Sequence, residues 1–424
     1  MNKTILFISD LFRISYGKSF YMDPVVYSVF QLFSEQIFEA TGQYPVLNLS
    51  RDTNLFDVKK FYELCNYEYT EDSWLKISSG QISTDAENYF VSSFQDYFLI
   101  CFHANPIMLK LFQKHNIPYI DTFEGSVRFL EDIHFVMRTN IPEIYQKLLT
   151  YQYPESAIYM EAAHLKARYQ SYGINEVNLR PNSLLLCGQT YTDIALLKGE
   201  KYISLNNLEN QFKQIIDKYD YIYYKPHPHA GNDSLNTEFI KSFSDFEIRN
   251  DNIYALMSSP KITGVAALSS GVLKEAQYFR KKIHILSHLY VDYHVDSPNF
   301  DVNKFVILTN DYFSPTFWVD ILSPCLKTKQ VKYFNFNNNS GYLRANIFSW
   351  WGYDIETFHP YYKNSINNLN NQVGQLIKQQ VNNKQLNQHI EGHQYVNKKK
   401  FKTLRHFLAL FCPSKEIRHK IRGK

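Results

Sequence analysis

The sequence predicts an α/β protein made of two Rossmann-like units that face a cleft. Apolar runs of four to six residues alternate with helical stretches, a polar break divides that alternation into two series, and 424 residues are too many for one ordinary core. Strands this short and this continuously apolar belong to parallel sheets covered on both faces.

In the first series, residues 4–8 (TILFI) read as a buried strand ending at Ser9-Asp10. The Gly-containing loop 15–19 follows, and it lacks the upstream glycine and the spacing of a P-loop. Residues 24–41 read as a helix, and 45–48, 97–102 and 117–120 as strands. Helical stretches are expected over 126–150 and 155–171. A polar stretch, 172–182, opens the second series, with strands at 183–187, 221–225, 261–266, 281–286 and 304–308. Helices fit between them at 207–218, 235–243 and 270–279. The expected domains are therefore 1–175 and 176–345, then an Asn/Gln-rich return or linker segment, 346–397, and a tail, 398–424.

Hydrophobic residues at 45% and charged residues at 20% are a globular composition. The 33 Tyr and 32 Phe fit an AT-rich coding sequence more simply than sugar-stacking surfaces. The five cysteines are widely spaced, odd in number and without a CxxC pair, so neither a disulfide framework nor a zinc site is expected. A reducing compartment fits them. The longest apolar run, Tyr97 to Phe102, falls far short of the roughly 20 residues of a membrane-spanning helix, and no secretory signal is visible. The expectation is a cytoplasmic protein, at most attached to a membrane surface.

Charge is uneven. Residues 398–424 hold ten Lys or Arg and one Glu, a net of +9 in a chain of +4, which leaves the body at −5. In that tail Phe401, Leu404, Leu408 and Phe411 recur at helical spacing among the basic residues, the pattern of a surface helix on an anionic membrane. A solvated tail or a nucleic-acid patch is the alternative; no stacking platform or nucleic-acid motif accompanies it, so no nucleic-acid partner is expected.

Ligands of open α/β sheets bind at the carboxyl ends of the strands. The strongest motif lies at such an end, Tyr223-Tyr224-Lys225-Pro226-His227-Pro228-His229. The prolines stiffen the turn, His227 can donate to a departing phosphate, and Lys225 supplies fixed positive charge. Its plainer reading is a rigid surface turn. Thr263 to Gly271 ends a strand and starts a helix through Ser269, Ser270 and Gly271. Those serines either cap the helix or offer its start to a phosphate. Gly188 and Gln189 follow another strand; Gly188 would admit a nucleotide to the backbone and Gln189 could meet a base or ribose. In the first half, Asp121-Thr122-Phe123-Glu124-Gly125-Ser126 places carboxylates at a strand end, with Glu124 the preferred general base and Asp121 the reserve. No Asp-x-Asp occurs, so a metal-held diphosphate is not expected, and a monophosphate leaving group suits His, Lys and Ser.

These motifs, spread over about 90–290, resemble the bacterial CMP-sugar transferases of GT-B fold, among them sialyltransferases, polysialyltransferases and the Kdo transferases of capsule and lipopolysaccharide assembly. The resemblance implies an N-terminal acceptor domain, a C-terminal nucleotide-sugar domain, and a CMP-linked donor as co-substrate with no other cofactor. It implies that His227, Ser269 and Ser270 contact the CMP phosphate. Phe123 stands where several of those families carry the first of two acidic residues before glycine. Residues 117–132 are similar to the capsule and O-antigen Kdo-transferase relatives, whose retaining members use a carboxylate to form a sugar adduct; Asp233 is the candidate here. The implied acceptor is a saccharide or lipid-linked glycan, with the tail docking at the membrane. Other readings are a GT-B transferase using a UDP-sugar or CDP-glycerol, and a non-catalytic binding subunit of polysaccharide assembly.

Overall fold

The computed structural model describes residues 3–14, 23–49, 52–171, 178–191, 193–227, 234–293, 299–332 and 341–346, all within the unit formed by residues 1–354. The first series builds strands β1 (Thr4–Ile8), β2 (Val46–Asn48), β3 (Tyr97–Phe102), β4 (Tyr119–Glu124) and β5 (Phe135–Thr139). Its helices are α1 (Asp23–Thr41), α2 (Val58–Leu64), α3 (Glu71–Ser78), α4 (Thr84–Phe94), α5 (Pro106–Lys114), α6 (Pro142–Thr150) and α7 (Glu155–Ser171). The second series builds β6 (Ser183–Cys187), β7 (Leu197–Lys198), β8 (Lys201–Tyr202), β9 (Tyr221–Lys225), β10 (Phe246–Ile248), β11 (Ile262–Ala267) and β12 (Lys282–Ile285). With it come α8 (Glu209–Ile216), α9 (Ser234–Lys241), α10 (Ile253–Ser258) and α11 (Val272–Tyr278). The chain then adds β13 (Val306–Ile307), α12 (Pro315–Leu322) and α13 (Tyr342–Asn346).

Two mixed α/β layers result, the expected GT-B class. The first sheet has the order β13-β5-β4-β3-β1-β2, with β2, β1, β3 and β4 parallel and β5 and β13 antiparallel to their neighbours. The second is wholly parallel in the order β10-β9-β6-β11-β12. In each sheet the strand order reverses once, between β1 and β3 in the first and between β6 and β11 in the second. Those reversals are the crevices where such sheets take ligands.

The runs that predicted the strands are apolar throughout because both faces are covered. Ile5 and Phe7 of β1 join one core with Phe98, Ile100, Phe33 and Trp318; Leu6 and Ile8 join another with Leu99, Phe61, Phe90 and Trp74. Alternate residues thus feed opposite faces. Many aromatics are core: Phe12 stacks on Phe61 at 4.6 Å, and Phe90 on Phe112 at 5.1 Å.

Two local expectations are corrected. The helix expected over 126–150 begins only at Pro142, whose ring suits a first helical turn. Before it, a loop and β5 occupy the stretch, with Phe135 and Met137 facing one core and Val136 the other. The strand expected at 304–308 in the second series instead pairs antiparallel with β5, and the following α12 packs on α1, so the chain returns to the first sheet. Asp132 anchors α13 by accepting from Leu343 N and Arg344 N at 2.8 and 3.1 Å. The segments 15–19, 347–397 and 398–424 lie outside the described residues.

Candidate active site

Three strand ends of the second sheet converge at its reversal. Gly188 follows β6, and its N–H donates to Lys225 O of β9 at 2.9 Å. An added Cβ at Gly188 would lie 2.5 Å from Tyr224 Oη and 3.2 Å from His227 N, so the His-Pro turn sits against a position only glycine fills without displacement. Across the reversal, Ser269 N after β11 donates to Gln189 Oε1 at 2.6 Å. That bond pins the two central strand ends together, so Gln189, 7% exposed, acts as a brace. Ser269 is 5% exposed, and its Oγ has no hydrogen-bond partner among the described residues. Ser270 Oγ accepts from Val272 N at 3.4 Å and closes the turn into α11. Lys225 donates to Asp251 O at 2.7 Å, which ties it to the loop after β10. Pro228 and Asp233 lie outside the described residues.

The first half meets this cluster through the loop after β4. An added Cβ at Gly271 would lie 3.1 Å from Ser126 Cβ and 3.2 Å from its Oγ. Gly125 is close-packed too, its N–H donating to His134 O at 2.7 Å. Glu124, at the end of β4, is bonded to His103 Nε2. Burial alone would push the Glu124 carboxyl up, but the His103 ring, its hydrogen bond and Arg128 hold it down at about 2. Asp121, the reserve base, is fully buried, and Arg138 Nη2 pairs with its Oδ2 at 2.8 Å. Burial raises its carboxyl while Arg138 opposes. It serves as the anchor of Arg138 rather than as an accessible base.

His103 was missed by sequence reasoning, although its place directly after the β3 run in Phe102-His103-Ala104-Asn105-Pro106 was a usable signal. Asn105 caps α5 by accepting from Ile107 N at 3.0 Å, and its amide donates to Ser78 Oγ at 3.0 Å and Asp10 Oδ2 at 3.5 Å. Burial pushes the Asp10 carboxyl up to about 6 against the pull of Arg13 and of hydrogen bonds from Phe12 N and the Asn105 amide. A cleft of about 300 Å³ opens beside them. Asn105, Lys110 and Arg138 form one wall; Leu197 and 288–290 of the second series form the other, and no carboxylate among the described residues lines it.

A buried carboxylate also joins the halves. Glu275 of α11 accepts from Arg128 N at 2.8 Å and from Tyr254 Oη at 2.7 Å. Burial raises its carboxyl to about 7, opposed by those two donors and by the positive charge of Arg128 and Arg344. Among the described residues, no cluster of His, Cys, Asp and Glu suits a metal ion, and no helix is long and apolar enough to cross a membrane.

The class defined by this fold is a GT-B-type pair of α/β units, each sheet with one strand reversal. No known family and no curated protein matches the sequence. Among solved structures, the chain is similar to the KpsC beta Kdo 2,7 transferase of Thermosulfurimonas dismutans, at 13% identity over 75% of this chain and 90% of that one, with a TM-score of 0.35. The beta Kdo 2,4 transferase of the same KpsC matches at 13% identity over 44% and 67%, with a TM-score of 0.26. The UDP-GlcNAc 2-epimerase of Methanocaldococcus jannaschii matches at 11% identity over 82% and 98%, with a TM-score of 0.25.

Proposed function

We propose that the chain is a glycosyltransferase that moves an acidic 2-keto sugar, Kdo or sialic acid, from a CMP donor to a saccharide acceptor in capsule or lipopolysaccharide biosynthesis. The observation that carries this reading is the joining of Gly188, His227 and Ser269 at one strand reversal, with Ser126 of the Glu124 loop packed against Gly271. The donor phosphate lies on Ser269 and Ser270, beside His227 and Lys225. It supplies the buried Ser269 hydroxyl with the acceptor it lacks, and an unmet buried hydroxyl costs about 1–3 kcal/mol. Gly188 lets Tyr224 and the His227 backbone pack against the end of β6, and Pro228 stiffens the turn.

On the acceptor side Glu124, with its partner His103, handles the proton of the attacking hydroxyl. The acceptor glycan enters by the cleft of Asn105, Lys110 and Arg138. Asp233 is the carboxylate for a sugar adduct if the sugar is transferred with retention. The reading uses no cofactor beyond the nucleotide sugar and assigns no metal, following the motif pattern. The basic residues 398–424 hold the enzyme on the anionic inner face of the cytoplasmic membrane, close to lipid-linked acceptors.

A donor panel of CMP-, UDP-, GDP- and CDP-activated compounds tests it. Turnover or donor hydrolysis is expected with CMP-Kdo or CMP-sialic acid, and a loss of at least about 100-fold in His227→Ala. Activity with a UDP-sugar alone, or a His227→Ala variant at wild-type turnover, would refute the assignment.

A further inference from the structure

We propose that the acceptor's proton is taken by Nδ1 of His103, with Glu124 acting as the positioning residue on the opposite ring nitrogen. The proposal rests on the transferase reading and assigns an atom to its proton transfer.

Four observations converge on this ring. His103 has φ of +56°, a left-handed conformation uncommon for a residue with a side chain, and such conformations gather at functional sites. The local ladder holds it there, its N–H donating to Thr122 O at 3.2 Å. The imidazole lies flat on Phe123, centroids 3.5 Å apart with 17° between planes, and Tyr290 closes edge-on against Phe123 at 5.5 Å. Nε2 meets the Glu124 carboxylate, whereas Nδ1 has no hydrogen-bond partner among the described residues on a side chain 26% exposed.

The charges around the ring divide the labour. Glu124 and Asp121 face it from β4, Asp121 is neutralised by Arg138 of β5, and Arg128 of the following loop acts on Glu124. A carboxylate held as firmly ionised as Glu124 is a poor proton acceptor near neutral pH. It is well suited to accept from Nε2–H, which fixes the tautomer that leaves a lone pair on Nδ1. As the acceptor hydroxyl attacks the anomeric carbon, its O–H bond breaks and an N–H bond forms at Nδ1. The bond from the anomeric carbon to the donor phosphate breaks, and its electron pair leaves with the nucleotide. The imidazolium is balanced by Glu124.

His103→Gly tests this without straining the fold, because glycine adopts the local backbone freely. Turnover should fall by about 100-fold or more while nucleotide affinity is kept, and added imidazole should restore part of it. Glu124→Gln should lower turnover while nucleotide affinity is kept, since the ring loses the carboxylate that fixes its tautomer. Nitrogen NMR of wild-type protein should place the neutral ring's proton on Nε2. A fully active His103→Gly, or a proton on Nδ1 in the neutral ring, overturns this proposal alone. Wild-type protein that turns over no nucleotide sugar overturns the transferase reading and the proton's destination with it.

Discussion

Adding one methyl group at Gly188 tests the geometry of the strand-end cluster. The new Cβ would stand 2.5 Å from Tyr224 Oη and 3.2 Å from both Tyr224 Cζ and His227 N. The tyrosine has little room to retreat: it is fully buried, and its Oη accepts from Asn236 Nδ2 at 3.2 Å. Overpacking of this kind costs about 1–3 kcal/mol. Tyr224→Phe removes the closest atom and forfeits the hydrogen bond from Asn236, worth about 1 kcal/mol. The double variant should therefore be more stable than the sum of the single effects by about 1–2 kcal/mol, beyond the 0.3–0.5 kcal/mol scatter of independent sites. Urea unfolding of the four proteins measures this coupling. Gly188→Ala as stable as wild type, or strictly additive single effects, would refute the close approach of the His-Pro turn to Gly188.

Glu275→Gln should change the pH dependence of stability. The folded carboxyl keeps its proton up to about 7 against an ordinary 4.5, so wild-type stability should fall as pH rises between those values, by on the order of 3 kcal/mol, and level off above. The variant should lose this decline in urea unfolding across that range; an unchanged slope would remove Glu275 as its source. Ser269→Ala removes a buried hydroxyl that has no partner among the described residues, so thermal stability should hold or rise slightly while CMP affinity falls by about tenfold, the worth of one good hydrogen bond. Calorimetric titration giving an unaltered affinity would take Ser269 off the phosphate. Deleting 398–424 should move the protein from the membrane fraction to the soluble fraction, and unchanged partitioning would dismiss the tail as an anchor.

The central strands were legible because burial on both faces leaves a continuous apolar run, as in 97–102, 183–187 and 221–225. The turns after β6, β9 and β11 were legible for the same reason, since a polar motif that ends such a run marks a carboxyl edge. Strand β5 was not, because 135–139 is a short apolar stretch that fits a helix as well as a strand. Its place is set by pairing with β4 across the Gly125 loop. Strand β13 comprises two residues, and only the return of α12 onto α1 fixes their sheet. Helices α2 to α4 are capped by Asp57, Thr70 and Ser83, signals visible in the sequence that short, aromatic-rich helices obscured. The Glu124 carboxylate was legible at its strand end, but its partner His103 lies 21 residues earlier, just past the end of the neighbouring strand β3. No spacing rule reaches across such a crossover. Gln189 shows the opposite limit: its position was found, and its bond to Ser269 N, 80 residues away, was not.

If the ends of β6, β9 and β11 receive the donor's phosphate, a crystal structure with CMP bound should show a phosphate oxygen within about 2.5–3.0 Å of Ser269 Oγ, with His227 beside it. A phosphate held elsewhere on the molecule, with Ser269 and the His-Pro turn untouched, would contradict it.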